Sequence, residues 1–162
     1  MNRKIPKAKM QDGIALCKSN AIDFLEDAKL ILADGRLNHA YVLVEYSIEE
    51  FGKAVILKEA LEASKSDPIT VEERVFTSHK GKSEKAWTML DIKYRTIFDE
   101  GLFDHELFDP DLFDTDTLAS HNTRLNCAFV DFNGDCWVLG ERIKQELLEK
   151  LINHIDEAIR KI

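Results

Sequence analysis

The stretch AYVLVEYSIEEFGKAVIL, residues 40–57 of the 162-residue chain, decides the fold. Apolar side chains recur along it at helical spacing and also occupy much of the remaining circumference. A helix that is apolar nearly all round is buried at the centre of a protein. The pattern therefore predicts a central helix over about residues 37–64. Pro68 cannot continue a helix and disfavours helix at the residue before it, so it marks the end of this element.

Three more helices are predicted around the central one. Residues 9–33 carry apolar side chains at alternating intervals of three and four, and Gly35 follows as a left-handed cap. Thr70 and Glu73 have the spacing of a capping box, which starts a third predicted helix that runs to about residue 97. The last helix is expected from about residue 141 to the end.

A small hairpin is predicted before the last helix. Asn133-Gly134 separates two β-prone runs, residues 127–132 and 136–139, and this dipeptide is typical of a hairpin turn. An isolated hairpin is only marginally stable, so we expect it to lie against the helices. The predicted fold class is therefore all-α. One domain over residues 1–162 forms an up-and-down bundle of about four long helices, with a β-hairpin over about residues 127–139.

The formal net charge of −8 comes from one segment. Residues 99–116 contain eight acidic residues and no Lys or Arg, and the rest of the chain has equal numbers of acids and bases. A neutral body argues against a surface that coats DNA or RNA, although it leaves room for a small RNA site. The acidic segment repeats Leu-Phe-Asp three times. We expect either an insert that packs on the bundle or a loop that binds a partner or gates a site.

The cysteine pattern and the hydropathy restrict the location of the protein. The three cysteines are widely spaced and form no Cys-x-x-Cys pair, which argues against a disulfide framework or a zinc site and favours a reducing compartment. No stretch approaches the ~20 apolar residues that span a bilayer, and no apolar run follows the basic N-terminus. We therefore expect a cytoplasmic protein with no membrane and no DNA partner.

Charged residues interrupt the central helix. Glu45, Glu49 and Lys53 lie at i, i+4 and i+8 on one stripe, with Glu50 beside them. Carboxylates in an apolar helix are costly unless they are paired, so they need a cation, a metal or a polar cleft. Either a structural polar network or a functional site would satisfy them. No Glu-x-x-His pair of the kind that holds metals in helical bundles occurs, so we expect no metal and no cofactor.

A second group of polar residues starts the third predicted helix. Arg74 and His79 are separated by four residues, and Lys80 and Lys82 follow. Histidine can accept or donate a proton near neutral pH, and a cation can stabilise the charge that develops on a phosphate. With a ribose 2′-hydroxyl as nucleophile, these groups suffice for RNA cleavage without a metal. The alternative is an arginine in a capping turn with a histidine on the surface.

Several short motifs occur in a characteristic order along the chain. They are AIDFLEDA at residues 21–28, YSIEEFGKA at 46–54, SHKGK at 78–82 and RLNCAFVDF at 124–132, with Trp137 after them. This order resembles that of the AbiV-type abortive-infection proteins of bacteria, a branch of the HEPN superfamily. The resemblance covers about residues 13–155.

The resemblance implies a helical bundle, a homodimer and a role in antiphage defence. HEPN relatives are often metal-independent ribonucleases with an Arg-x4-6-His motif, which implies catalytic roles for Arg74 and His79. Glu49 would then hold the imidazole, in a packing that brings Glu49 and Lys53 to His79. The remaining candidate binding residues are Glu45, Glu50, Lys53, Lys80, Lys82 and Arg124.

Two functions follow as expectations. The first is an abortive-infection effector that cleaves RNA, as a metal-independent endoribonuclease would, or that interferes with translation. The second is a non-catalytic module that binds a phage or host protein. The neutral body and the acidic segment favour the second, as does Val75, which stands where the motif usually has a polar residue.

Overall fold

The computed structural model describes residues 2–90, 128, 130–132, 137–139 and 143–162, with backbone only for the strands at 130–132 and 137–139. The predicted acidic insert at residues 99–116 and the candidate residue Arg124 lie outside this part of the chain. The elements in chain order are β1 (Asn2–Ile5), α1 (Lys7–Ala33), α2 (Leu37–Ala63), β2 (Ile69–Glu72), α3 (Arg74–Thr77), α4 (His79–Leu90), β3 (Val130–Phe132), β4 (Trp137–Leu139) and α5 (Gln145–Lys161).

Two long helices, α1 and α2, form the first half of the fold, close to the predicted bounds. The turn between them is set by Gly35, whose φ of 75° lies in the left-handed region that glycine adopts without strain. The Gly35 amide donates to the Leu32 carbonyl at 2.8 Å, and the Arg36 amide donates to the Ile31 carbonyl at 3.2 Å. This pair of bonds is a Schellman cap. The predicted cap at Gly35 is confirmed.

The central position predicted for α2 is also confirmed. Twelve of its residues are buried, and they cover most of its circumference. One core cluster joins six of them to the apolar faces of α1, α4 and α5, and Ala54 and Leu57 pack in a second cluster with residues of α1 and β2. Helix α5 differs, because it buries a single stripe that includes Leu148, Ile152, Ile155 and Ile159. The fold is thus an all-α bundle around α2. No helix in the part of the chain that the structure describes is long and apolar enough to cross a bilayer.

The capping box predicted at Thr70 is wrong. Residues 69–72 form strand β2, which pairs antiparallel with β1, with Ile5 opposite Ile69 and Asn2 opposite Glu72. Ile69 and Val71 are buried while the residues after each are exposed, so the segment alternates as a strand does. Ile69, Thr70 and Val71 are all β-branched, and such a run favours a strand over a helix start.

The predicted third helix is accordingly divided. After the strand, residues 74–77 form the single-turn helix α3, Ser78 is extended with ψ of 112°, and α4 begins at His79. The Gly81 amide donates to the Ser78 hydroxyl at 3.2 Å, so Ser78 caps α4. The predicted hairpin is confirmed where the structure describes it, because β3 and β4 pair antiparallel with Val130 opposite Leu139.

Candidate functional site

The site depends on an unusually close approach of α2 and α4. Gly52 of α2 is buried against the backbone of α4. A Cβ atom built on Gly52 would lie 1.8 Å from the carbonyl oxygen of Lys82 and 3.2 Å from the amide nitrogen of Ala86. No other residue type fits this contact without moving a helix. Glycine at position 52 therefore holds the first turns of α4 against the middle of α2.

This contact brings an imidazole and an ammonium group to one carboxylate oxygen of Glu49. His79 Nδ1 lies 2.6 Å from Glu49 Oε2, and Lys82 Nζ lies 3.3 Å from the same oxygen. Glu49 and Lys82 are 4% and 6% exposed, whereas the His79 side chain is 48% exposed. The predicted contact between Glu49 and His79 is confirmed. The site is thus a buried ion pair that carries an imidazole at the surface.

Burial explains why these groups come together. A carboxylate removed from water needs opposite charge and hydrogen-bond donors to offset its desolvation. Glu49 obtains both from α4, since His79 and Lys82 lie one turn apart on the same side of that helix. Removing one member of a buried pair typically destabilises a protein by ~3–5 kcal/mol, because the other charge is left behind.

Lys53 has a different role from the predicted one. Its ammonium lies 2.5 Å from Glu50 Oε1, and both side chains are largely buried. Cys17 of α1 packs next to this pair. Burial raises the pKa of the Cys17 thiol to about 11, with Glu50 acting in the same direction and the charges of Lys53 and Lys82 opposing it. The predicted meeting of Lys53 with His79 is replaced by the Glu50–Lys53 pair.

Glu45 lies one turn before Glu49 on α2 and is fully buried. The Tyr41 hydroxyl donates to Glu45 Oε1 over 2.7 Å. Tyr41 was not a predicted site residue, although a tyrosine one turn before a carboxylate in an apolar helix indicates a hydrogen-bond donor for that carboxylate. The pair continues the polar stripe of α2 towards its N-terminus.

Arg74 and Lys80 lie at a groove on the outer side of α3 and α4. The groove has a volume of about 550 Å³, and Ser78 and Val75 also line it. The Arg74 side chain is 77% exposed, with Nε 2.5 Å from Glu72 Oε2, while Lys80 lies 3.8 Å from Glu84. The structure thus gives Arg74 and His79 different carboxylate partners, Glu72 and Glu49. No three His, Cys, Asp or Glu side chains among the described residues lie where they could hold a metal ion.

Sequence reasoning missed two determinants of this site. One is the pairing of Lys82 with Glu49, since Lys82 was predicted only as a binding residue. The other is Gly52, which stands in an apolar helix interior where glycine lowers helix stability by up to ~1 kcal/mol relative to alanine. A glycine retained at such a position indicates close packing, and that signal was present in the sequence.

Comparison with known protein families gives a match. The family model described as AbiV, of HEPN type, matches residues 9–160. No curated protein and no solved structure matches the chain.

Proposed function

This chain belongs to the AbiV family of HEPN type, whose name refers to abortive infection, and on that premise we propose that it is a defence effector that cleaves RNA at His79. The observation that carries the proposal is the 2.6 Å contact between His79 Nδ1 and the buried Glu49 carboxylate. A carboxylate in this position orients an imidazole and stabilises its protonated form, as general acid–base catalysis requires. Because His79 is half exposed, a substrate can reach it.

The proposed reaction needs no metal ion. His79 removes the proton from a ribose 2′-hydroxyl, and the 2′-oxygen attacks the adjacent phosphorus. The bond from phosphorus to the 5′-oxygen breaks, and that oxygen takes up a proton. The products are a 2′,3′-cyclic phosphate and a 5′-hydroxyl end. Arg74 and Lys80, on either side of His79 in sequence, supply positive charge for the phosphate oxygens.

Arg74 must exchange its partner in this reaction. Its contact with Glu72 is solvent-exposed on both sides, and such pairs contribute only ~0–1 kcal/mol. A phosphate can accept two parallel hydrogen bonds from a guanidinium and can therefore compete with the carboxylate. The groove that contains Arg74 and Lys80 has an apolar floor that includes Ile56 and Val75, where part of a nucleotide could lie.

Purified protein incubated with total RNA and transfer RNA in the presence of EDTA tests the proposal. We expect cleavage with 2′,3′-cyclic phosphate ends, and a loss of ~100-fold or more in His79→Ala. The matched control is His39→Ala, because His39 is an exposed histidine on α2 that is not among the site contacts. Equal cleavage by wild type and His79→Ala, or no cleavage by wild type with any RNA tested, would contradict the proposal.

A second candidate function is a non-catalytic module that binds a phage or host protein. Two observations favour it: Arg74 and His79 are engaged by different carboxylates, and Val75 packs in the core beneath the groove. Its test is capture of a partner from infected cells, with and without residues 103–116. Unchanged capture and protection after that deletion would exclude the acidic segment as the binding surface.

We also propose that the effector acts as a cytoplasmic homodimer, as the resemblance implied. Light scattering on the purified protein should give twice the chain mass of 18.6 kDa. A mass of one chain at micromolar concentration would contradict this part of the proposal.

A further inference from the structure

We infer that Lys4 of strand β1 binds a phosphate of the RNA strand, next to the phosphate that Arg74 and Lys80 contact in the groove. The inference rests on the proposed function, because it extends the path of the RNA from the groove of α3 and α4 across β2 to β1. It adds a substrate-binding residue and gives Lys4 no part in the chemical step.

The position of Lys4 follows from the pairing of the two strands. Lys4 lies directly opposite Thr70 in the ribbon of β1 and β2. Side chains of directly opposite residues project from the same face of a sheet, with Cβ atoms roughly 5 Å apart. Thr70 is exposed and lines the groove, as does Glu72 two residues later. The exposed Lys4 side chain therefore projects beside the groove wall, and its flexible stem can span the roughly 4.8 Å between neighbouring strands.

Lys4 differs from the cations of the groove because it has no carboxylate to release. Among the residues that the structure describes, no acidic side chain forms an ion pair with Lys4. The cations that line the groove all have such a partner: Arg74 pairs with Glu72, Lys80 with Glu84 and Lys85 with Glu59. A phosphate can therefore bind Lys4 without displacing a carboxylate, and lysine binds phosphate as a point charge.

The continuity of the RNA backbone favours a contact at this wall of the groove. A single strand carries a negative charge at every nucleotide, so a phosphate in the groove has charged neighbours that leave it on either side. On the wall formed by β2, the Glu72 carboxylate repels such a neighbour once Arg74 has released it. Lys4 lies diagonally opposite Glu72 on the same face of the ribbon and supplies the opposite charge. The RNA strand is therefore expected to leave the groove over β2, at Lys4.

The other face of β1 holds the strand in place. Arg3 Nε donates to Glu73 Oε2 over 2.8 Å, and the Arg3 guanidinium lies 4.4 Å from the centre of the Phe76 ring. Ile5 packs against the second core cluster, which includes residues of β2. None of these contacts involves Lys4. An uncharged residue at position 4 should therefore leave β1 attached, so that a change in RNA binding reports the charge itself.

Binding of an uncleavable RNA tests the inference. The probe is a fluorescein-labelled single-stranded RNA with 2′-O-methyl riboses, which has no free 2′-hydroxyl, and fluorescence anisotropy gives its Kd at about 50 and about 200 mM salt. Each neutralised phosphate of a single strand adds roughly 0.7 to the slope of log affinity against log salt. We expect Lys4→Gln to bind more weakly at the lower salt, and its difference from wild type to shrink by about 2.6-fold at the higher salt. Lys4→Arg should keep the wild-type slope.

The matched control is Arg36→Ala, which removes one exposed cation at the opposite end of α1. The 27 residues of α1 place it about 40 Å from β1, so its slope should equal that of wild type. Circular dichroism checks that each variant is folded, and Lys4→Thr, with a side chain that favours strands, replaces Lys4→Gln if that variant is not.

Three results would overturn the inference: a wild-type slope in a folded, uncharged Lys4 variant, the same reduced slope in Arg36→Ala, or a wild type that does not bind the probe. Failure of the proposed function has a different signature. A wild type that binds the probe through Lys4 but cleaves no natural RNA would refute the cleavage and leave the binding site standing. A wild type that cleaves RNA, with an unchanged slope in Lys4→Gln, would refute the binding site alone.

Discussion

Gly52→Ala is the most direct test of how the site is assembled. The new Cβ would lie 1.8 Å from the Lys82 carbonyl oxygen, whereas ordinary van der Waals contact begins at 3.4 Å. The obstacle is backbone, which cannot rotate away as a side chain can. Helix α4 must therefore retreat from α2 by about 1.6 Å at this point, the difference between 3.4 and 1.8 Å. Such a shift would break the 2.6 Å and 3.3 Å contacts of His79 and Lys82 with Glu49.

The magnitude follows from three opposing effects. Replacing glycine by alanine inside a helix favours folding by up to ~1 kcal/mol. Overpacking a core typically costs ~1–3 kcal/mol. Partial loss of the buried Glu49 network adds a fraction of the ~3–5 kcal/mol that follows removal of a whole partner. We expect the free energy of unfolding to fall by about 2–4 kcal/mol, which lowers Tm by roughly 4–16 °C in a chain of this size.

Urea and thermal unfolding followed by circular dichroism measure the effect. The matched control is Gly13→Ala in α1, where a Cβ would meet only Leu57 Cδ1 at 3.9 Å. This control should be neutral or stabilising by up to ~1 kcal/mol, because only the helix propensity changes. If Gly52→Ala proved as stable as Gly13→Ala, the close approach of α2 and α4 would not exist as described. The described contacts of His79 and Lys82 with Glu49 would then be refuted as well.

Three further predictions concern single contacts. Tyr41→Phe should lower the free energy of unfolding by ~1.5–3 kcal/mol in urea, because Glu45 loses a buried donor; no change would mean that the bond is not made. Burial raises the pKa of the Cys17 thiol to about 11, so at mildly alkaline pH the thiol should be alkylated far more slowly in folded than in urea-unfolded protein, as followed by mass spectrometry of its peptide. The contribution of the buried, protonated thiol to the free energy of unfolding should be present below pH ~9 and lost as the pH rises towards 11. Hydrogen bonding by Arg3 lowers the pKa of Glu73. The difference in free energy of unfolding between wild type and Arg3→Ala should therefore be present at neutral pH and disappear as the pH falls below the ordinary range of a carboxyl group. A constant difference across that range would contradict the pairing.

The helices α1 and α2 could be predicted because their signals are local. Apolar periodicity and Gly35 depend only on neighbours within a few turns. Strand β2 could not be predicted in the same way. Its partner is β1, more than 60 residues earlier in the chain, and no local pattern encodes that register. Thr70 with Glu73 has the spacing of a capping box, but the alternating burial of Ile69 and Val71 is what the fold selects.

The types of residue in the site could be predicted from the sequence, but which of them contact one another could be predicted only in part. That Glu49 needs a cationic or imidazole partner followed from its place in an apolar helix, and His79 supplies it. Which lysine would join them did not follow, because Lys53 and Lys82 were equally available in the sequence. The choice depends on how α4 lies on α2, which is a tertiary property. Gly52 determines that packing, and its meaning becomes clear only with the Lys82 backbone beside it.

The segments 49–52 of α2 and 79–82 of α4, which define the site, therefore determine how the two helices pack as well as what chemistry the site can perform. Glu49 and Gly52 lie at i and i+3 on α2, and His79 and Lys82 lie at i and i+3 on α4, so each pair projects from one side of its helix. Gly52 seats the Lys82 backbone, and the Lys82 and His79 side chains then reach Glu49 one turn away. It follows that lost activity in a Glu49 or Lys82 variant does not by itself distinguish chemistry from packing. Measuring the free energy of unfolding beside cleavage does distinguish them, because a displaced helix lowers both, whereas loss of a group that acts only in the reaction lowers cleavage alone.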